Sequence, residues 1–161
     1  MLQLILRFVH VSFGAMWVGM MAFQTFFLMP SLGEVGPDGG KIMGALMRRR
    51  IPVIMSVIAL LTIISGIWLF QRLSGGNPAA LVATPMGKGF AFGGAAALIA
   101  LLYGIIVLRP AMMRSMKLAA AGDPTLGPEI QRLRAQGVRG AKIVAGLLFF
   151  ALAAMSVARY L

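Results

Sequence analysis

One histidine stands out among the residues that could do chemistry in this sequence. His10 is the only histidine, and Gly14 and Trp17 follow it at i+4 and i+7, so a helix presents all three on one face. Arg7 lies one turn earlier. Imidazole is a common axial ligand of haem iron, and a glycine beside it leaves room for a flat ligand. The spacing therefore predicts a haem b site with His10 as the metal ligand. The alternative is a neutral histidine that hydrogen-bonds between helices.

The remaining residue types exclude several other kinds of site. The chain has no cysteine and one histidine, which excludes thiolate centres and metal sites built from several histidines of one chain. Its 13 methionines suggest Cu(I), with Met43 and Met47 or Met113 and Met116 as ligands, but flexible packing is the commoner use of methionine and is expected here. The 4 acidic residues all fall in predicted loops, so no carboxylate pair lies inside a span. The sequence therefore favours neither an enzyme nor a transporter.

Composition indicates which elements must position the histidine. The residues are 60% hydrophobic and 12% charged, against about 45–50% and roughly 25% in soluble domains. Charge-free stretches match the roughly 20 helical residues that cross a bilayer core. They predict a single domain over residues 1–161, an all-α integral membrane four-helix bundle, with spans at 4–29, 51–71, 89–109 and 140–160. Small or polar residues at helical spacing are expected to form its inner faces: Gly89, Gly93 and Ala97; Ala141 and Ala145; Ala154 and Ala158; and Thr62, Ser65 and Gly66.

Prolines are predicted to mark the ends of two spans. The first span is expected to end at Leu28-Met29-Pro30 and the third at Leu108-Arg109-Pro110, and a basic segment and the next span follow each of them. This similarity suggests two hairpins of parallel topology. Residues 73–87 are uncharged but contain several glycines and prolines, so they are expected to form a neutral loop.

The cations indicate how the bundle is oriented. The net charge is +11, from 15 Lys and Arg against 4 Asp and Glu. One small group lies near the termini and between the second and third spans: Arg7, Arg72, Lys88 and Arg159. All other cations lie in the two remaining loops: Lys41, Arg48, Arg49, Arg50, Arg109, Arg114, Lys117, Arg132, Arg134, Arg139 and Lys142. The positive-inside rule predicts that these two loops are cytoplasmic and that both termini are outside.

Both basic loops contain a segment with apolar residues at helical spacing, over 39–50 and 125–134. We expect two short amphipathic helices on the cytoplasmic membrane surface, where Arg48, Arg49 and Arg50 would meet anionic lipid. A solvated connecting helix is the alternative. A position beside the membrane explains the arginine run without nucleic acid.

Two passages resemble a group of small four-helix membrane proteins that includes the CopD-type domain and the HemJ-type protoporphyrinogen oxidase. Arg7-Phe8-Val9-His10, followed by Trp17 and Gly19, is similar to the first helix of that group, in which a histidine precedes a tryptophan by seven residues. Met47-Arg48-Arg49-Arg50-Ile51-Pro52 through Ser65-Gly66-Ile67-Trp68-Leu69 is similar to its basic loop end and second helix, and Lys88 stands where HemJ-type proteins often carry a lysine. The resemblance implies a four-helix bundle in a bacterial inner membrane and favours haem at His10. It does not imply the oxidase activity, because this chain has no second histidine.

Two functions follow as expectations. The first is a small multi-pass protein of the bacterial inner membrane that binds haem b through His10 in a redox or haem-handling role. Gly14 and Trp17 would lie beside the haem, and cations such as Arg7 and Lys88 would pair with its propionates. The second is a non-catalytic accessory subunit that packs against a larger respiratory or photosynthetic membrane complex, because the spans carry few polar groups and many small residues. As partners we expect the anionic lipid bilayer and either such a complex or further copies of this chain.

Overall fold

Helices account for nearly all of the backbone. The computed structural model describes residues 1–161, the side chain of Pro37 excepted, and no described residue lies in a strand. The helices are α1 (Leu2–Glu34), α2 (Pro37–Arg48), α3 (Ile51–Leu73), α4 (Pro78–Ala83), α5 (Pro85–Ala120) and α6 (Pro124–Tyr160). Four of them, α1, α3, α5 and α6, are long and apolar enough to cross a membrane. The predictions of an all-helical fold and of four helices long and apolar enough to span a membrane are therefore confirmed.

The four long helices pack as two pairs. α1 lies against α3, α5 lies against α6, and contacts of α1 with α6 and of α3 with α5 close the bundle. α1 and α5 therefore occupy opposite corners. Both begin at the same end of the bundle, where α3 and α6 finish, and we call it the His10 end. The opposite end is called the Arg109 end.

α1 and α5 both continue past their prolines, so the prediction that these helices stop at Pro30 and Pro110 is wrong. Each contains a π-helical segment that ends two residues before the proline, Gln24–Leu28 in α1 and Gly104–Leu108 in α5. The backbone N–H after each segment donates to the carbonyl five residues earlier. Proline lacks an N–H and its ring crowds the carbonyl four residues before it, and the wider π turn relieves this crowding. A π segment at the same distance before both prolines supports the predicted repeat of two hairpins.

α6 runs through the region that was expected to hold a separate amphipathic helix. Residues 125–134 and the fourth predicted span belong to one helix, regular over Gly127–Val157, so the expected break between them is wrong. The helix stays continuous because its buried face follows the long α5, with Gly137 and Gly140 close against that helix. The other predicted segment, 39–50, corresponds largely to α2, and its contact with a membrane surface stays a prediction.

Side-chain hydrogen bonds cap the N-termini of two helices, α4 and α6. Within the predicted neutral loop, Asn77 accepts the N–H of Ala80 at 3.1 Å and starts α4. Asp123 accepts the hydroxyl of Thr125 at 2.7 Å and its N–H at 2.9 Å before α6. These two hydrogen bonds lower the pKa of the Asp123 carboxyl below its ordinary value. The cap therefore contributes stability above the ordinary pKa of aspartate and loses it as the pH falls through the lowered one.

Small residues bring α5 and α6 into close contact, as their spacing predicts. A Cβ built on Gly89 would lie 2.8 Å from Cβ of Ala158, and one on Gly93 would lie 3.1 Å from the backbone oxygen of Ala151. The buried core beside this contact consists of Trp17, Ile58, Ala59, Ala97, Ala100, Val144, Leu148 and their neighbours. Trp17 is thus a packing residue of the core.

Candidate functional site

A hydrogen bond holds His10 against α3. Its Nδ1 lies 2.9 Å from the backbone oxygen of Thr62. Because a carbonyl oxygen only accepts, Nδ1 carries the proton, and in the neutral ring the lone pair is left on Nε2. Histidines that bind metals commonly donate their other ring nitrogen to a carbonyl or carboxylate, which fixes the tautomer and the ring orientation. This is the hydrogen bond between helices that the alternative to a haem site predicted for a neutral histidine, and it leaves the lone pair of the half-buried ring on Nε2.

Gly66 forms the surface on which this ring lies. A Cβ built there would be 2.7 Å from Cε1 of His10 and 3.0 Å from Nδ1, which is closer than real Cβ atoms approach. The hydroxyl of Ser65 donates to the Leu61 oxygen at 2.6 Å and lies 3.1 Å from the Thr62 oxygen. The sequence predicted Thr62, Ser65 and Gly66 as a packing face. In the structure they also form the surface of α3 against which the imidazole of His10 packs.

The structure separates the residues that the sequence grouped around the histidine. Gly14 leaves no open room, because a Cβ there would lie 3.5 Å from Cγ2 of Thr62, so α3 fills the space expected for a flat ligand. Trp17 is buried in the core. Arg7 is exposed one turn before the histidine. Lys88 is exposed in the first turn of α5, on the opposite corner of the bundle. Of the four residues predicted to surround His10 in a haem site, Arg7 is the cation that lies one helical turn from the imidazole.

A single protein donor fits haem better than a bare metal ion. Among the residues that the structure describes, no three His, Cys, Asp or Glu side chains are grouped so that they could hold a metal ion. A bare zinc ion needs such a set, whereas haem brings its own ring nitrogens and takes an axial ligand from the protein. Nε2 of His10 is a donor of the type that haem iron takes, and Arg7 is a cation at the same end of the bundle. Neither described cavity is lined by His10, and α3 fills the space at Gly14, so haem would need room that this packing does not provide.

Sequence reasoning missed a cavity of about 130 Å³ toward the Arg109 end, lined mainly by α1, α3 and α5, with Met47 of α2 and Val144 of α6. We call it the methionine cavity, after the methionines that line it: Met21, Met47, Met55, Met112, Met113 and Met116. The sequence paired Met113 with Met116, and both line the cavity. It also paired Met47 with Met43, which is not among the described lining residues. The convergence of three helices on one space could not be recognised from spacing along one of them.

Comparison of the chain with protein-family models, with curated proteins and with solved structures finds no match.

Proposed function

We propose that this protein binds haem b through Nε2 of His10, at the His10 end of its membrane-spanning bundle, in a redox or haem-handling role. The observation that carries the proposal is the 2.9 Å hydrogen bond from Nδ1 to the Thr62 oxygen, because it presents the ring with its lone pair on the other nitrogen. The proposal also draws on the resemblance of Arg7-Phe8-Val9-His10 and Trp17 to the first helix of the HemJ-type group.

Bound haem supplies one-electron chemistry, which the surrounding protein orients and tunes. The residues of this chain would hold the imidazole in place. The carbonyl of Thr62 fixes its tautomer, and the flat surface at Gly66 fixes the plane of the ring. The cation of Arg7, one helical turn away, would pair with a propionate.

The test is the absorption spectrum of the full-length protein, produced with haem supplied and purified in mild detergent. We expect a Soret band with the wild-type chain and its loss in His10→Gln, because the glutamine side chain is of similar size and polar but offers no imidazole nitrogen. Free imidazole added to His10→Gly is expected to restore part of the band. Phe8→Ala changes an exposed residue on the same helix and is expected to keep the band.

Two results would contradict the proposal. One is the absence of any Soret band in a wild-type protein that elutes as a single folded species. The other is a band that survives in His10→Gln with unchanged position and intensity. Either result would leave the accessory subunit as the function to test, by native electrophoresis of mild-detergent extracts for a larger complex.

We further infer from the partition of the cations that the Arg109 end faces the cytoplasm of a bacterial inner membrane, with both termini outside. The chain has no cysteine, so single cysteines can report the topology without background. A cysteine at Ser74 is expected to react with a membrane-impermeant maleimide added outside intact spheroplasts. A cysteine at Ala121 is expected to react only after lysis, and the reverse pattern would overturn the orientation.

A further inference from the structure

The methionine cavity has a buried wall and an exposed side, which we call its mouth. Its deep wall includes Trp17 and Ala100, which are buried in the core. At its mouth Ile105, Arg109 and Met113 follow one another at i, i+4 and i+8 on one exposed face of α5. Its volume of about 130 Å³ is close to that of an apolar cavity of roughly 150 Å³ that binds benzene. The space therefore fits one ring or a short piece of hydrocarbon chain.

The lining suits hydrocarbon everywhere except at the mouth. Methionine side chains are flexible and polarisable, so they adapt to an irregular apolar ligand. Three described lining residues are polar: Gln24, Ser56 and Arg109. The hydroxyl of Ser56 already donates to the oxygen of Pro52 at 2.8 Å, within α3. The remaining polar groups are the amide of Gln24 and the exposed guanidinium of Arg109, and of these only the guanidinium is charged.

Three further arginines are adjacent in sequence to residues that line the cavity. Met47 and Ile51 both line the cavity, and Arg48–Arg50 are the exposed residues between them. No described lining residue is acidic. The ion pairs found among the described residues use other partners: Asp38 with Lys41, and Glu129 with Arg114. Four cations therefore lie at or next to an apolar cavity without an anionic partner in the described chain.

We propose that the methionine cavity is a selective binding site for an anionic phospholipid. Part of one acyl chain enters the cavity past Ile105 and Met113, and the phosphate group lies among Arg109 and Arg48–Arg50. A neutral apolar molecule would leave the cations without a counter-charge, and a free phosphate would leave the apolar cavity unfilled. The site goes beyond the general attraction of basic loops to anionic membranes, because it requires the headgroup and the chain together.

Trp17 provides the test, because it lines the cavity and bromine atoms on an acyl chain quench a nearby indole. The chain has 2 tryptophans, and Trp68 lies in α3 toward the His10 end, so Trp68→Phe isolates the signal of Trp17. The full-length protein is placed in phosphatidylcholine vesicles that contain a small fraction of lipid with brominated chains. We expect brominated phosphatidylglycerol to quench Trp17 more strongly than brominated phosphatidylcholine at the same fraction. Arg109→Gln is expected to reduce the relative affinity for phosphatidylglycerol about fivefold.

Two glycines of α5 provide a matched pair of variants that tests whether the lipid acyl chain enters the cavity. Gly104 lines the cavity and Gly94 does not, and a Cβ built on either meets nothing within 4 Å. Gly104→Leu is therefore expected to fill the cavity and remove the extra quenching, whereas Gly94→Leu is expected to keep it. Arg159→Gln, a charge change at the other end of the bundle, is also expected to keep it.

Three outcomes would overturn the proposal. The first is equal quenching by the two brominated lipids. The second is equal behaviour of Gly104→Leu and Gly94→Leu in protein that elutes as one folded species. The third is displacement of the brominated lipid by millimolar inorganic phosphate, which would indicate a simple anion site with no role for the acyl chain.

Discussion

Gly66→Ala is expected to lose the Soret band of the haem-loaded protein and to lower the free energy of unfolding by about 1–3 kcal/mol. The new methyl group would lie 2.7 Å from Cε1 of His10, so the ring must move off α3. That movement is expected to lengthen or break the hydrogen bond from Nδ1 to the Thr62 oxygen, which is 2.9 Å long. The variant thus disturbs the imidazole while every group that could bind a metal remains in the chain. Absorption spectroscopy and unfolding in mixed micelles with increasing SDS measure the two effects.

Gly14→Ala is the matched control, since it adds the same methyl group to the same α1–α3 interface. There the nearest atom, Cγ2 of Thr62, would lie at 3.5 Å, an ordinary contact distance. We expect this variant to keep the band and nearly all of its stability. A second check is to introduce Gly66→Ala into a His10→Ala background, where the methyl group has no ring to displace and is expected to cost little. Equal losses for Gly66→Ala with and without the imidazole would show that the ring does not rest on this glycine.

The helix face that carries His10 and Gly14 could be predicted from the sequence. The group that accepts the hydrogen bond from His10 could not. His10 and Gly14 share a helix face because the helical period is fixed, so their alignment requires no knowledge of the fold. The acceptor for Nδ1 is the backbone oxygen of Thr62, which lies 52 residues away along the chain. Every residue has such an oxygen, so no residue type indicates it. Only the pairing of α1 with α3 brings it to the histidine, and for the same reason the use of Gly14 as a contact for Thr62 was not foreseen.

The number of spans was predictable because lipid acts on each segment locally. A segment either carries about 20 apolar residues or does not, and that property is readable without tertiary contacts. The ends of the helices were less predictable at Pro30 and Pro110, where the local rule that proline stops a helix gave the wrong result. Ending a helix inside apolar surroundings would leave backbone groups unpaired. The π segments Gln24–Leu28 and Gly104–Leu108 allow both helices to continue instead.

Gly89→Ala is expected to lower the free energy of unfolding by about 1–3 kcal/mol, because it separates α5 from α6 at the His10 end. A methyl group there would lie 2.8 Å from Cβ of Ala158 and 3.2 Å from its Cα. Ala158 is fully buried, with 0% of its surface exposed, and the close backbone atom cannot rotate away. In a membrane the close packing of helices is a main source of their association, so a forced separation loses contacts along the whole interface. Mixed-micelle unfolding followed by circular dichroism measures the loss.

The chain offers both a control and a reversal for this prediction. Gly94 lies on the same helix with nothing within 4 Å of a built Cβ, so Gly94→Ala is expected to leave stability unchanged or to raise it slightly through helix propensity. The double variant Gly89→Ala with Ala158→Gly moves the methyl group from α6 to α5 and is expected to recover most of the stability that Gly89→Ala loses. The recovery should exceed what the two single variants predict by addition, since the two residues are in direct contact. Strict additivity of the two changes would mean that the helices do not meet at this pair, and the close approach of α5 and α6 at the His10 end would then be incorrect.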